Sequence, residues 1–141
     1  MPIGFVRRAA LGLAIAILAS GVAPSAHHSI AGVYDSSQPT TIEAVVAEFH
    51  FVNPHPFVIV EVMNGGVPTE RWRLELDNRF ELSGVGMTAD TFKPGDLVVV
   101  TGSRARNGSN GLYVRRLDRA ADGFRYEQVG NSPRVTKLEK P

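Results

Sequence analysis

Two regimes of hydrophobic patterning divide the chain. The first is an unbroken apolar run over residues 9–19, AALGLAIAILA, preceded by Arg7 and Arg8 and followed by the small-residue stretch SGVAPSA. This run is shorter than the roughly 20 residues that a spanning helix needs. A basic start, a short apolar centre and a small-residue end match a helical secretory signal peptide over residues 1–26. Cleavage after Ser25 satisfies the small-residue rule at both flanking positions; cleavage after Ala26 is the alternative. The second regime begins at Thr41 and has the period of two that belongs to strands.

Residues 41–52, TIEAVVAEFHFV, are rich in β-branched and aromatic side chains and predict a long first strand. Alternation puts Val45, Ala47, Phe49 and Phe51 on one face and Ile42, Ala44, Val46, Glu48 and His50 on the other. The prolines of NPHP end that strand. Residues 57–63 predict a second strand and residues 70–77 a third, with Trp72, Leu74 and Leu76 inward. Between them NGGVP has strong hairpin chemistry. A short helix is expected around residues 78–85, capped by Asp77 or Asn78. Residues 97–105 and 112–120 predict two further strands, and residues 124–129 a sixth. Phe49, Phe51, Trp72, Leu74, Leu97 and Val99 are the expected core.

Strand, strand, strand, short helix, strand, strand is the order of a small OB barrel. The sequence thus predicts an all-β fold: an OB-like barrel of five or six strands over residues 41–129, with one short helix between strands three and four. A flexible leader over residues 27–40 and a polar tail over residues 130–141 flank it. An SH3-like barrel or an open β-roll shares much of the pattern.

Composition changes this picture in two ways. The chain has 141 residues, 43% hydrophobic and 21% charged, enough for a single domain. It has no cysteine, which excludes disulfides, thiolate metal sites and thiol nucleophiles. Its formal charge is +1, but removal of Arg7 and Arg8 with the signal leaves 13 basic against 14 acidic residues. Near neutrality argues against nucleic acid as a partner. Export with no anchor retained after processing points to the periplasm or the exterior.

Candidate chemistry lies in the histidines. His27 and His28 stand at or beside the new N-terminus. After cleavage at Ser25, the terminal amine, two amides and the His28 imidazole form a square-planar nitrogen chelate suited to copper or nickel. After cleavage at Ala26, the amine and imidazole of His27 form a bidentate brace that needs a third nitrogen. His55, between Pro54 and Pro56, is the candidate for that nitrogen, because the prolines restrict its backbone. The plainer readings are a solvated leader and a turn histidine bonded to a carbonyl. Arg104, Arg106, Arg115, Arg116 and Arg119 cluster near the last hairpin. With Trp72 and Tyr113 they suggest a nucleic-acid face, which export and near-neutral charge argue against. The Arg104–Arg119 face is therefore the alternative site for a protein or anionic ligand, or simply a charged strand edge. Glu75 and Asp77 share a strand face without a paired acid–base pattern. No catalytic signature is present: there is no Gly-x-Ser-x-Gly, no His-Glu-x-x-His and no P-loop, and Gly84-Val85-Gly86 is not a dinucleotide fingerprint.

Three stretches, AHHSIAGVYD, FVNPHPFVIVEV and FKPGDLVVVTGSRARNGSN, together resemble a family of small exported bacterial proteins, domain of unknown function 6152. Its pattern falls here on Ala26-His27-His28-Ser29, Asn53-Pro54-His55 and Lys93-Pro94-Gly95-Asp96. Phe51-Val52 departs from the Trp-Thr of many members, and His50 lies outside the pattern. The resemblance implies export and a small barrel, and no activity. The expected function is therefore that of an exported binding module, holding copper or another divalent metal through His27, His28 and His55. The alternative is an interaction module with no metal role.

Overall fold

The computed structural model describes residues 29–137. The expected signal peptide, His27, His28 and residues 138–141 lie outside them. A four-residue helix, α1 (Ile30–Val33), leads into β1 (Tyr34–His50); β2 (Phe57–Asn64) and β3 (Val67–Glu75) follow. Then come α2 (Arg79–Gly84), β4 (Leu97–Ala105), β5 (Gly111–Arg119), β6 (Phe124–Val129) and β7 (Ser132–Lys137). The sheet order is β3-β2-β1-β4-β5-β6-β7. A parallel pairing of β3 with β5, through Arg73↔Gly111, Leu74↔Leu112 and Glu75↔Tyr113, closes a ring of five strands. The fold is an all-β, OB-like barrel, and β6 and β7 extend its sheet beyond the ring.

Local chemistry accounts for the hairpin and the helix between β3 and β4. Gly65 and Gly66 both have positive φ, 59° and 82°, as the tight turn joining β2 and β3 requires. Asn78, rather than Asp77, caps α2: its Oδ1 accepts from Glu81 N at 2.9 Å. The Lys93-Pro94-Gly95-Asp96 turn has a structural role. Asp96 Oδ2 accepts from Lys93 N at 3.0 Å. Gly95 N and Asp96 O bond the backbone of Val46, at 2.8 and 2.9 Å.

The core runs through Ile42, Val46, Val60, Trp72, Leu74, Leu117 and Tyr126. Both expected faces of the first strand contribute to it. Ile42, Ala44 and Val46 point inward, then an irregularity between Val46 and Glu48 shifts the register. Beyond it Phe49 and Phe51 pack against the core instead.

Several expectations are corrected. There are seven strands rather than five or six, and α1 is an additional helix. Leu97 and Val99 are exposed, at 65% and 43%, while Val98 and Val100 are buried. LVVV is apolar at every position, so only pairing with β1, Val98 against Ala44 and Val100 against Ile42, selects the inward pair. Residues 34–40, assigned to the leader, open β1. Tyr34 buries its ring beside Ala105 and Tyr113, and a register shift between Asp35 and Pro39 absorbs the polar residues that mask the strand pattern. Residues 132–137, assigned to the polar tail, form β7. As an edge strand it tolerates Pro133, and Val135 packs on the core.

Candidate functional site

The Asn53-Pro54 bond is cis, and the NPHP loop is tied to the end of β3 and the start of α2. Leu76 N donates to Pro56 O and Arg79 N to Pro54 O, both at 3.0 Å. His55 is half-buried in this loop, and its Nδ1 lies 2.9 Å from Leu76 O. A carbonyl only accepts, so in the neutral imidazole this bond places the hydrogen on Nδ1 and leaves the lone pair on Nε2. Glu75 Oε1 stands 3.8 Å from the same Nδ1. His55 is thus a turn histidine bonded to a backbone carbonyl, with Glu75 beyond hydrogen-bond reach of Nδ1 and no hydrogen-bond partner for Nε2 among the described residues.

Glu75 links this loop to the start of the described chain. Its Oε2 accepts from Tyr34 OH at 2.6 Å. Burial, and then the bond to Glu75, push the Tyr34 hydroxyl well above the ordinary tyrosine range. Tyr34 packs against Tyr113 at 5.7 Å between ring centroids, and Ile30 of α1 packs on the same cluster. The chain therefore enters the barrel at the end that carries His55. From sequence alone, the leader has to run back along the barrel to reach it. In the structure β1 begins at Tyr34 instead of Thr41, and Tyr34 bonds Glu75.

A second polar network adjoins the first. Asp77 is 5% exposed and accepts from Tyr113 OH, from Tyr126 OH at 2.7 Å and from Gln128 Nε2 at 2.9 Å. Three donors satisfy a carboxylate that is otherwise costly to bury. Glu75 accepts from one tyrosine hydroxyl and Asp77 from two. Each is held by tyrosine hydroxyls whose ionisation burial opposes. Tyr34, Tyr126 and Gln128 went unselected in the sequence. Tyr34 sits inside the family-like stretch AHHSIAGVYD, and that is the one signal that points to it.

Among the described residues, no group of three or more His, Asp and Glu side chains is arranged to hold a metal ion. His55 and Glu75 make two, and His27 and His28 lie outside the described residues, two and one positions before Ser29. His50 is not part of this site. It stacks on Phe57 and bonds Glu48 at 2.8 Å.

The five arginines do not form one basic face. Arg116 pairs with Asp118 at 2.7 Å, Arg106 with Asp35 at 3.7 Å, and Arg119 with Asp96 at 2.7 Å and Asp122 at 2.9 Å. Arg104 lies over the Trp72 ring at 5.0 Å. Arg115 bonds Gln128 instead of a carboxylate. Of these five, only Arg104 and Arg115 lack an acidic partner among the described residues.

No curated protein matches the chain. A solved crystal structure of TiaS in complex with an isoleucine tRNA and ATP resembles it with a TM-score of 0.43 and 13% identity, over 76% of this chain and 30% of that one. The model of the family of unknown function DUF6152 matches residues 14–113, a span that holds the paired histidines, the Asn-Pro-His loop and the Lys-Pro-Gly-Asp turn. The chain belongs to that family.

Proposed function

We propose that this is an exported metal-binding barrel that holds copper, or another late divalent cation, through His27 and His28 together with Nε2 of His55. Its role is carriage, buffering or delivery in the periplasm or outside the cell, after removal of residues 1–26. One observation carries the reading. The Nδ1 bond to Leu76 O leaves His55 Nε2 without a hydrogen-bond partner among the described residues, at the barrel end where β1 begins. The donor set fits the metal: imidazole nitrogens and a terminal amine suit copper. The alternative basic face has less support, since three of its five arginines pair with carboxylates within the protein.

The test is copper titration of protein carrying its native, processed N-terminus, followed by calorimetry. One equivalent should bind at neutral pH and be released as acid protonates the terminal amine and the imidazoles of His27 and His28. His55→Ala should weaken binding, and the His27→Ala/His28→Ala double variant should abolish the tight phase. Copper affinity unchanged by His55→Ala and equal to that of the isolated N-terminal peptide would refute a shared site. Intact mass of the native protein fixes the first residue; Met1 still present in a membrane fraction would refute export.

A further inference from the structure

A cavity of about 310 Å³ opens between α1, β1, β4, β5 and β6. Ile30, Tyr34 and Tyr113 supply apolar surface, and Ser36, Ser103, Gln128 and Arg115 supply polar atoms. The hydroxyls of Tyr34 and Tyr113 are committed to Glu75 and Asp77, so these residues offer the cavity their rings. Among the described residues, Arg115 is the only charged side chain in the lining, and no carboxylate lines it.

The guanidinium is held in place with no acidic partner among the described residues. Its Nη1 donates to Gln128 Oε1 at 2.5 Å, and its Nε lies 3.4 Å from Ser103 Oγ. Gln128 is fixed in turn, since its Nε2 donates to Asp77 Oδ1 at 2.9 Å and to Tyr113 OH at 2.8 Å. Nη2 has no hydrogen-bond partner among the described residues. A fixed, half-buried guanidinium with one open edge, flanked by aromatic rings, matches the planar fork of a carboxylate attached to a flat apolar body. The volume suits a compact ligand, being on the order of ten waters at about 30 Å³ each. We propose that this cavity is a binding site for a small organic monocarboxylate, anchored by Arg115 and seated against Tyr34 and Tyr113. The site is independent of the metal reading: it uses neither His55 nor the leading histidines.

The probe is benzoate, added to the metal-free processed protein and followed by amide and Arg Nε–H NMR shifts. Benzyl alcohol, neutral and of similar shape, and inorganic phosphate are the companion probes. Benzoate should give saturable shifts centred on Tyr34, Ser103, Tyr113 and Arg115. Benzyl alcohol should bind at least about tenfold more weakly, as expected for loss of one charge-assisted contact. Arg115→Lys should weaken benzoate by about the same factor, because a point charge replaces the fork. Ser36→Phe changes an exposed residue at the cavity and tests occupancy without touching the buried network; it should block binding. Absence of saturable benzoate shifts would overturn the proposal. So would equal affinity in Arg115→Lys and Ser36→Phe, or phosphate displacing benzoate at equal concentration, which would indicate a general anion patch.

Discussion

Raising the pH should unfold this protein by ionising its tyrosines. The chain has three, Tyr34, Tyr113 and Tyr126, and all are buried, at 7%, 5% and 0% exposure. Each donates its hydroxyl to a carboxylate: Tyr34 to Glu75, and both others to Asp77. Burial first, and then the adjacent negative charge, raise all three above the ordinary value of 10.0. A raised folded-state value means that the stabilisation is fully present below pH 10. It is lost as pH climbs from there towards the folded values, because only the unfolded chain can then release the protons. Three retained protons give a slope of at most about 4 kcal/mol per pH unit. Integrated from pH 10 to 12, the loss approaches about 8 kcal/mol, comparable to the roughly 5–15 kcal/mol stability of a typical domain. The assay is an alkaline titration with two readouts, near-ultraviolet tyrosinate absorbance and Trp72 fluorescence. Both should change together, cooperatively, between about pH 11 and 13. Tyr126→Phe should reduce the slope by about a third, leaving two titrating groups. Tyrosinate absorbance rising near pH 10 while Trp72 fluorescence stays native would refute the buried network.

Three further outcomes follow from packing. Trp72→Ala should cost about 3–5 kcal/mol in denaturant unfolding, since the ring is 5% exposed within the core; a loss well under about 1 kcal/mol would place it outside. Gly102→Ala should destabilise by more than about 1–3 kcal/mol, because a Cβ there collides with the Tyr113 carbonyl oxygen, and a neutral melting temperature would contradict the β4–β5 approach. Arg119→Ala should cost about 2–4 kcal/mol, because the guanidinium bonds Thr91 O at 2.6 Å and Asp96 Oδ2 at 2.7 Å under the Lys-Pro-Gly-Asp turn. That loss should change little with added salt, since the side chain is only 13% exposed.

Much of this architecture is written locally. Period-two alternation in residues 70–77, the paired glycines at 65 and 66, and the Asn78 cap are short-range features, and they predict β3, its hairpin and α2 on their own. The order of these elements was enough to predict an OB-like barrel, and the two flanking prolines single out His55 as a candidate. What the chain could not show locally was anything that depends on pairing. LVVV has no parity of its own, so β1 decides that Val98 and Val100 face inward. The polar stretch after Tyr34 and the Pro-containing β7 carry no strand pattern; long-range hydrogen bonding and the buried Tyr34 ring put them in the sheet. The site divides in the same way. The histidines are visible as residue types, but the bond that fixes the His55 ring comes from a carbonyl 21 residues away. The bond that brings the chain's entry to Glu75 spans 41 residues, and the Asp77 network spans up to 51. Separations of that size are set by closure of the barrel through β3 and β5, and no local propensity encodes them.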